Sequence, residues 1–210
     1  MPSSRCAVAA CAALLAAGAA AAPAPAPDPV PGTVGVQGGR LLVSLDLASA
    51  FPPSLRKQLE NGLTHVVAVH LSVVPERGQD PLAMYGREIE VLYDVWREEF
   101  RATVRDSLLP AGRRLTFPDF GALLAFLSAL RGVDLCPSAA LAAERWVVVA
   151  RVEVDPVSEI VDRTRELIAG GGSPGLLSSV ASALLHAPVR GPGARTFRSA
   201  PFAARDGAVR

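Results

Sequence analysis

Two histidines are the first residues whose chemistry could serve a site. His65 and His70 lie five positions apart in LTHVVAVHLSVV, a stretch rich in β-branched residues that predicts a strand. An odd spacing on a strand places the two rings on opposite faces, so they cannot bind one metal ion together. A site that uses one of them with Asp46 or Glu90 across the sheet stays open as an alternative. The simpler prediction is two half-buried structural histidines.

Acidic and basic side chains are interspersed along residues 87–101. The acidic members are Glu88, Glu90, Glu98 and Glu99, and the basic members are Arg87, Arg97 and Arg101. Opposite charges facing each other across neighbouring strands form ion pairs on a sheet surface. We therefore predict a solvated strand face here rather than a general acid–base pair.

Two candidate nucleophiles carry little support. Residues 171–175 (GGSPG) have the G-x-S-x-G spelling of a hydrolase elbow, but a predicted helix precedes them where that turn needs a strand. The residue after Ser173 is Pro174, which has no N–H to stabilise an oxyanion. Cys136 is predicted to be a small buried thiol. The chain has no Walker loop or dinucleotide fingerprint, so no catalytic, metal-binding or cofactor-binding residue is predicted.

Aromatic residues beside arginines suggest a different kind of site. Tyr93 and Trp96 lie near a predicted turn, next to Arg97 and Arg101. Aromatic and arginine side chains are enriched at the centres of protein interfaces, so these four form a possible interaction surface. In the alternative interpretation, Tyr93 belongs to the core and Trp96 closes the edge of the sheet.

Hydrophobic periodicity predicts the strands that position these groups. Alternating apolar residues predict strands over residues 40–47, 63–74 and 145–155, and the second of these places Leu63, Val67, Val69, Leu71 and Val73 on one face. Between residues 87 and 105 the apolar positions change from odd to even. One regular strand cannot change faces, so residues 96–99 are predicted to hold a turn or a bulge, and we favour a tight turn between two strands.

Helices are predicted between the strands. A short helix follows Pro52-Pro53, and a longer one covers residues 115–131, with Thr116 as its cap and Asp119 completing a capping box. Asp155 is predicted to cap a third helix over residues 157–168. Residues 176–185 could add one more apolar helix. The sum is an α+β domain with two layers, in which a mainly antiparallel sheet of four to five strands carries two to three helices on one face.

The N-terminus has the layout of an export signal. Residues 1–5 contain Arg5, and residues 6–20 form an uncharged apolar run of 15 residues, shorter than the roughly 20 needed to span a bilayer. We predict a signal peptide over residues 1–21, cleaved around residues 19–21, and a Pro/Gly-rich tether over residues 22–39. A lipobox ending at Cys11 is the alternative, and it would anchor the protein to lipid.

Charge is unevenly distributed over the remaining chain. The total of +1 argues against a dedicated nucleic-acid binder. Residues 40–185 are predicted to form a single domain, and residues 186–210 a basic disordered tail with five arginines and one acid. This tail is a candidate for weak contact with anionic lipid or glycan.

The segments of the predicted domain resemble a bacterial family of exported proteins. LLVSLDLASAFPPSLRKQLENGLTHVVAVHLSV resembles the opening of the domain-of-unknown-function family 4390, and EIEVLYDVWREEFRATV is similar to its next block. LTFPDFGALLAFLSAL and RWVVVARVEVD are similar to its later helix and strand. The resemblance covers about residues 40–155, and the family's Trp-containing ending is missing. It implies export and no assigned activity, so no functional residue is carried over.

These observations lead to one functional prediction and one alternative. We expect an exported protein of the cell envelope, periplasmic or extracellular, that is a non-enzymatic binding or interaction module with an envelope protein as partner. No cofactor and no nucleic acid are expected. The alternative is an exported hydrolase, or a small-ligand or metal-binding protein, with a site that the sequence does not reveal.

Overall fold

The structure, a computed structural model, describes residues 28–29, 31–78, 80–141, 144–156, 158–170, 194–205 and 208–209. Its helices are α1 (Leu55–Leu59), α2 (Phe120–Ser128) and α3 (Ser158–Gly170). Its strands are β1 (Asp28–Pro29), β2 (Gly32–Gln37), β3 (Arg40–Asp46), β4 (Thr64–Pro75), β5 (Ala83–Asp94), β6 (Glu99–Asp106), β7 (Leu109–Phe117), β8 (Ala129–Pro137), β9 (Trp146–Val154), β10 (Arg195–Arg198), β11 (Ala204–Arg205) and β12 (Ala208–Val209). Short 3-10 turns lie at Ala48–Ala50 and Ser138–Leu141.

Within the described residues the strands form two main sheets. The large sheet has seven strands in the order β1-β10-β9-β4-β5-β6-β7, and every pair in it is antiparallel except β1 with β10. The small sheet has three antiparallel strands in the order β2-β3-β8. β11 and β12 pair only with each other.

β4 is the central strand of the large sheet and is buried on both faces. Its side chains on one face, Val67, Val69, Leu71 and Val73, are fully buried in the main hydrophobic core. The small sheet, α1 and α2 contribute to the same core through Leu41, Val43, Leu45, Leu55, Leu59, Leu123 and Leu127. Each such side chain contributes roughly 1.5–3 kcal/mol by leaving water.

Helix α3 covers the opposite face of the large sheet. Thr164 of α3 contacts His70 of β4, with 2.7 Å between Oγ1 and Nε2. Leu167 packs over Gly86 of β5 so closely that a Cβ at position 86 would lie 3.1 Å from its Cδ2 atom. The glycine therefore allows α3 to approach β5.

The predicted α+β class is confirmed, and three details of the prediction are wrong. The large sheet has seven strands instead of four to five. The helices do not share one face: α1 and α2 border the main core, whereas α3 lies on the other side of the sheet. The small sheet, the large sheet and α3 form three successive layers instead of the predicted two.

Seven strands lie where the sequence predicted something else. β1 and β2 occupy part of the predicted tether, β7 and β8 flank α2 on either side, and β10, β11 and β12 lie inside the predicted disordered tail. Periodicity misses β7 because it carries adjacent arginines, and β8 because Gly132 adopts a positive φ of 57° within it. β1, β10, β11 and β12 have only two to four residues each, too few to show a period. The predicted signal peptide, residues 22–27 of the tether, and residues 176–185 lie outside the described residues.

Helix α2 is shorter than predicted. Thr116, the expected cap, belongs to β7, and the N-cap is Asp119, whose carboxylate accepts a hydrogen bond from the Ala122 N–H at 2.8 Å. Pro118 explains the boundary because it restricts Phe117 to extended backbone. Of the helices in the described part of the chain, none has the length and apolar composition needed to cross a membrane.

Candidate functional site

A tight turn between β5 and β6 presents Trp96, one of the four residues of the predicted interaction surface. The turn covers residues 95–98, which confirms the change of faces predicted between the two strands. Oδ1 of Asp94 accepts hydrogen bonds from the N–H groups of Trp96 and Arg97, at 3.1 and 3.2 Å. Glu98 closes the turn with a positive φ of 53°. The backbone beneath Trp96 is therefore held in one conformation.

Trp96 is 97% exposed, and two further apolar side chains are exposed near it: Val95 at 59% and Leu63 at 64%. The loop of Leu63 approaches the turn, since a Cβ on Gly62 would lie 3.7 Å from Cγ2 of Val95. We call Leu63, Val95 and Trp96 the tip patch. An indole this exposed makes almost no contact with its own chain and is free for a partner.

The four residues predicted for the interaction surface have different environments. Tyr93 is half-buried and packs against Phe100 with its ring tilted by 47°, at 4.8 Å between ring centroids, so it anchors the hairpin to the core. Arg101 pairs with Asp94 at 2.8 Å and with Glu99 at 3.2 Å, while the exposed Arg97 lies 3.9 Å from Glu99. Trp96 alone presents a large apolar surface.

Leu63 was predicted to face the core, and this prediction is wrong. β4 begins at Thr64, so Leu63 lies in the preceding loop and does not continue the alternation of the strand. Its N–H donates to Oδ1 of Asn61 at 2.7 Å, which folds the loop outwards. The Asn61-Gly62 pair is a turn signal that could have revealed this in the sequence.

His65 links the loop that contains Leu63 to Asp155. Its Nδ1 lies 2.6 Å from Oδ2 of Asp155 and its Nε2 lies 3.0 Å from Oδ1 of Asn61. Asp155 also accepts hydrogen bonds from the Val66 N–H and the Gln58 side chain, at 3.0 and 2.9 Å. Asp155 therefore binds β4 and the Gln58 side chain of α1. Both ring nitrogens of His65 are engaged, which leaves neither for a metal ion.

His70 faces α3 and is buried almost completely. Its Nε2 contacts Thr164, whereas Nδ1 has no hydrogen-bond partner among the described residues. Burial, assisted by the positive charge of Arg151, lowers the pKa of His70 from 6.5 to about 3. His70 is therefore neutral at physiological pH. Both histidines are more buried than the half-buried state predicted from the sequence.

The acidic strand face is also less solvated than predicted. Glu88 is fully buried, and its carboxylate contacts Arg105 of β6 and Arg165 of α3, each at 3.0 Å. Glu90 contacts the same two arginines, at 3.0 and 3.3 Å. Opposite charges thus meet as predicted, but α3 covers them. Their evident role is to hold α3 on the sheet.

The remaining candidate groups offer little chemistry. Cys136 is buried as predicted, and burial raises the pKa of its thiol, which reduces the thiolate available for attack. Residues 171–175 lie outside the described residues. In the part of the chain that the structure describes, no group of three or more histidine, cysteine, aspartate or glutamate residues could hold a metal ion.

Comparison with known proteins adds no relative. No protein-family model matches the chain, and no curated protein or solved structure is significantly similar to it.

Proposed function

We propose that this chain is an exported protein of the cell envelope and a non-enzymatic binding module, which contacts a partner protein through the tip patch. The observation that carries the proposal is the 97% exposure of Trp96 on a turn braced by Asp94. An aromatic side chain on an ordered turn binds at lower entropic cost, because the backbone need not be ordered on binding. Export is proposed from the layout of residues 1–21 and from the resemblance to family 4390.

The surroundings of the tip patch favour a protein over a lipid surface. Attraction to anionic lipid requires an excess of exposed cations. Here the cations have acidic neighbours: Arg101 pairs with Asp94 and Glu99, and Arg97 lies within 4 Å of Glu99. Three exposed apolar side chains beside paired charges suit an apolar pocket with a polar rim on a partner protein.

Site-specific photo-crosslinking in intact cells tests the proposal. A benzophenone amino acid replaces Val95, beside Trp96, and in a matched control it replaces Leu108, which is 60% exposed at the opposite hairpin. We expect a discrete crosslinked protein from position 95 only. Trp96→Ala should reduce its yield roughly tenfold or more, because truncating a central aromatic anchor costs about 2 kcal/mol or more. Fractionation should locate this species in the envelope or the medium.

Three results would contradict the proposal. The same crosslinks from positions 95 and 108 would show non-specific contact. A yield unchanged by Trp96→Ala would remove the role of the indole. Binding of the purified protein to vesicles of anionic phospholipid, lost on Trp96→Ala, would assign the tip patch to a membrane instead.

A further inference from the structure

The outer edge of β7 is open. In the described part of the chain, β7 is the last strand of the large sheet and pairs only with β6. Among the described residues its backbone makes no hydrogen bond to any other segment. Alternate N–H and C=O groups along an edge strand point away from the sheet and can pair with another chain.

The first half of β7, residues 109–112, is too irregular to pair with another strand. Pro110 has no N–H to offer. At Gly112 the backbone has a positive φ of 74°, and the pairing with β6 shifts between Val104 and Asp106. A Cβ at position 112 would lie 3.0 Å from the Val104 carbonyl oxygen, so the irregularity requires glycine.

The second half, residues 113–117, is regular and exposed. These five residues pair without interruption with residues 100–104 of β6. Arg113, Arg114 and Thr116 are exposed, while Leu115 and Phe117 are half-buried against the core. We call residues 113–117 the open edge. Its length is that of an average strand, which is enough for a further strand to pair with it.

Two arginines give the open edge its charge. Arg113 and Arg114 have no carboxylate within ion-pair distance in the described part of the chain, although the Arg113 guanidinium lies 6.0 Å from the Phe126 ring centroid. Four arginines of β5, β6 and α3 do pair with carboxylates: Arg87, Arg101, Arg105 and Arg165. The open edge therefore has unneutralised positive charge, one arginine on each face of the sheet.

We propose that the open edge binds an extended acidic segment of a partner protein, which adds to the sheet as an eighth strand. Backbone hydrogen bonds would hold the segment, and two adjacent carboxylates would pair across the strands with Arg113 and Arg114. This surface is separate from the tip patch and rests on different observations. Either proposal can fail without the other.

A pair of synthetic peptides tests the open edge on the full-length protein. The acidic probe is Thr-Val-Thr-Glu-Glu-Thr-Val-Thr, capped at both ends, and the matched probe has Lys-Lys in place of Glu-Glu. Backbone amide shifts and amide exchange are followed by nuclear magnetic resonance during titration. We expect the acidic probe to shift residues 113–117 and slow their exchange, and to bind about tenfold more tightly than the lysine probe.

Charge reversal sharpens the test. The double variant R113E/R114E should invert the preference between the two peptides, and its fold should persist because both side chains are exposed. Arg131→Glu, an exposed arginine on β8, should leave the preference unchanged. Equal binding of both probes, or shifts confined to other residues, would overturn the proposal. So would slow exchange along the open edge that depends on protein concentration without peptide, since that assigns the edge to a second copy of the chain.

Discussion

His65 and His70 illustrate how neighbouring positions on one strand acquire different chemistry. Alternation along β4 directs His65 to Asp155 and Asn61, and His70 to Thr164. The predicted separation of the two rings is confirmed. Their burial could not be predicted because the covering groups come from positions 90 and 94 residues away in the sequence. Spacing reveals the face of a side chain, whereas its exposure depends on what covers that face.

The lowered pKa of His70 makes the folded protein measurably less stable in acid. In the unfolded chain the imidazole takes up a proton near pH 6.5, but in the folded protein only near pH 3. Between these values acidification favours unfolding, and above pH 6.5 the effect is absent. His70→Gln keeps a polar atom for Thr164 but cannot titrate. Its free energy of unfolding should fall less steeply below pH 6.5, by up to about 1.4 kcal/mol per pH unit.

Urea unfolding of both proteins between about pH 7.5 and about pH 4 measures this difference. This range starts above the unfolded pKa of 6.5 and covers most of the interval down to the folded pKa of about 3. The other titrating groups are common to both proteins, so the difference between the two curves isolates His70. Curves that stay parallel throughout this range would show that His70 titrates normally in the folded state.

At the scale of elements, the strongest predictions came from unbroken periodicity. The strand at β4, the turn between β5 and β6, and the helix at α3 follow from alternation, from a change of phase and from a helical stripe. α2 was predicted too long because its apolar run continues into β8, where Leu130 is still buried. Where a buried helix runs directly into a buried strand, the apolar residues continue across the boundary. Hydrophobic periodicity alone therefore does not show where the helix ends.

The attachment of α3 to the sheet depends on Glu88. This buried carboxylate accepts from Arg105 and Arg165, so Glu88→Gln weakens two charge-assisted hydrogen bonds. We expect a loss of about 1–3 kcal/mol in the free energy of unfolding, and faster amide exchange in α3 than in the β6–β7 hairpin.

Glu60→Gln is the matched control for this loss. Glu60 pairs with Arg56 one helical turn away on a solvated surface. Its substitution should cost no more than about 0.5 kcal/mol. Equal effects of the two substitutions in urea unfolding would mean that burial of Glu88 adds nothing to its ion pairs.

For the whole molecule, the ends of the described chain complete the large sheet. β1 and β10 pair in parallel, and β10 pairs with β9. Phe197 and Phe202, inside the predicted disordered tail, are buried in the main core. Arg198 donates to the Glu76 carbonyl at 3.1 Å, so at least this arginine of the tail is engaged by the fold. A truncation after Pro188 would therefore remove core residues along with the proposed lipid-binding charges.

Phe197→Ala tests whether the C-terminal segment is part of the folding unit. Removing a fully buried phenylalanine costs about 3–5 kcal/mol, a large part of the stability of a domain of this size. We expect a correspondingly lower urea midpoint in a single transition. Leu108→Ala, at an exposed position, should change stability by less than about 0.5 kcal/mol. A midpoint unaffected by Phe197→Ala would mean that this segment does not fold with the sheet.

The sequence by itself determined the class of the fold, the central strands, and the turn that carries Trp96, because local periodicity encodes which face of a strand is apolar. Only the tertiary structure decided that Glu88 is buried. It also decided that β7 is an open edge and that residues 195–198 join the large sheet between β1 and β9. The reason is distance along the chain. Glu88 is buried by Arg165, 77 residues later, and no local pattern contains that contact.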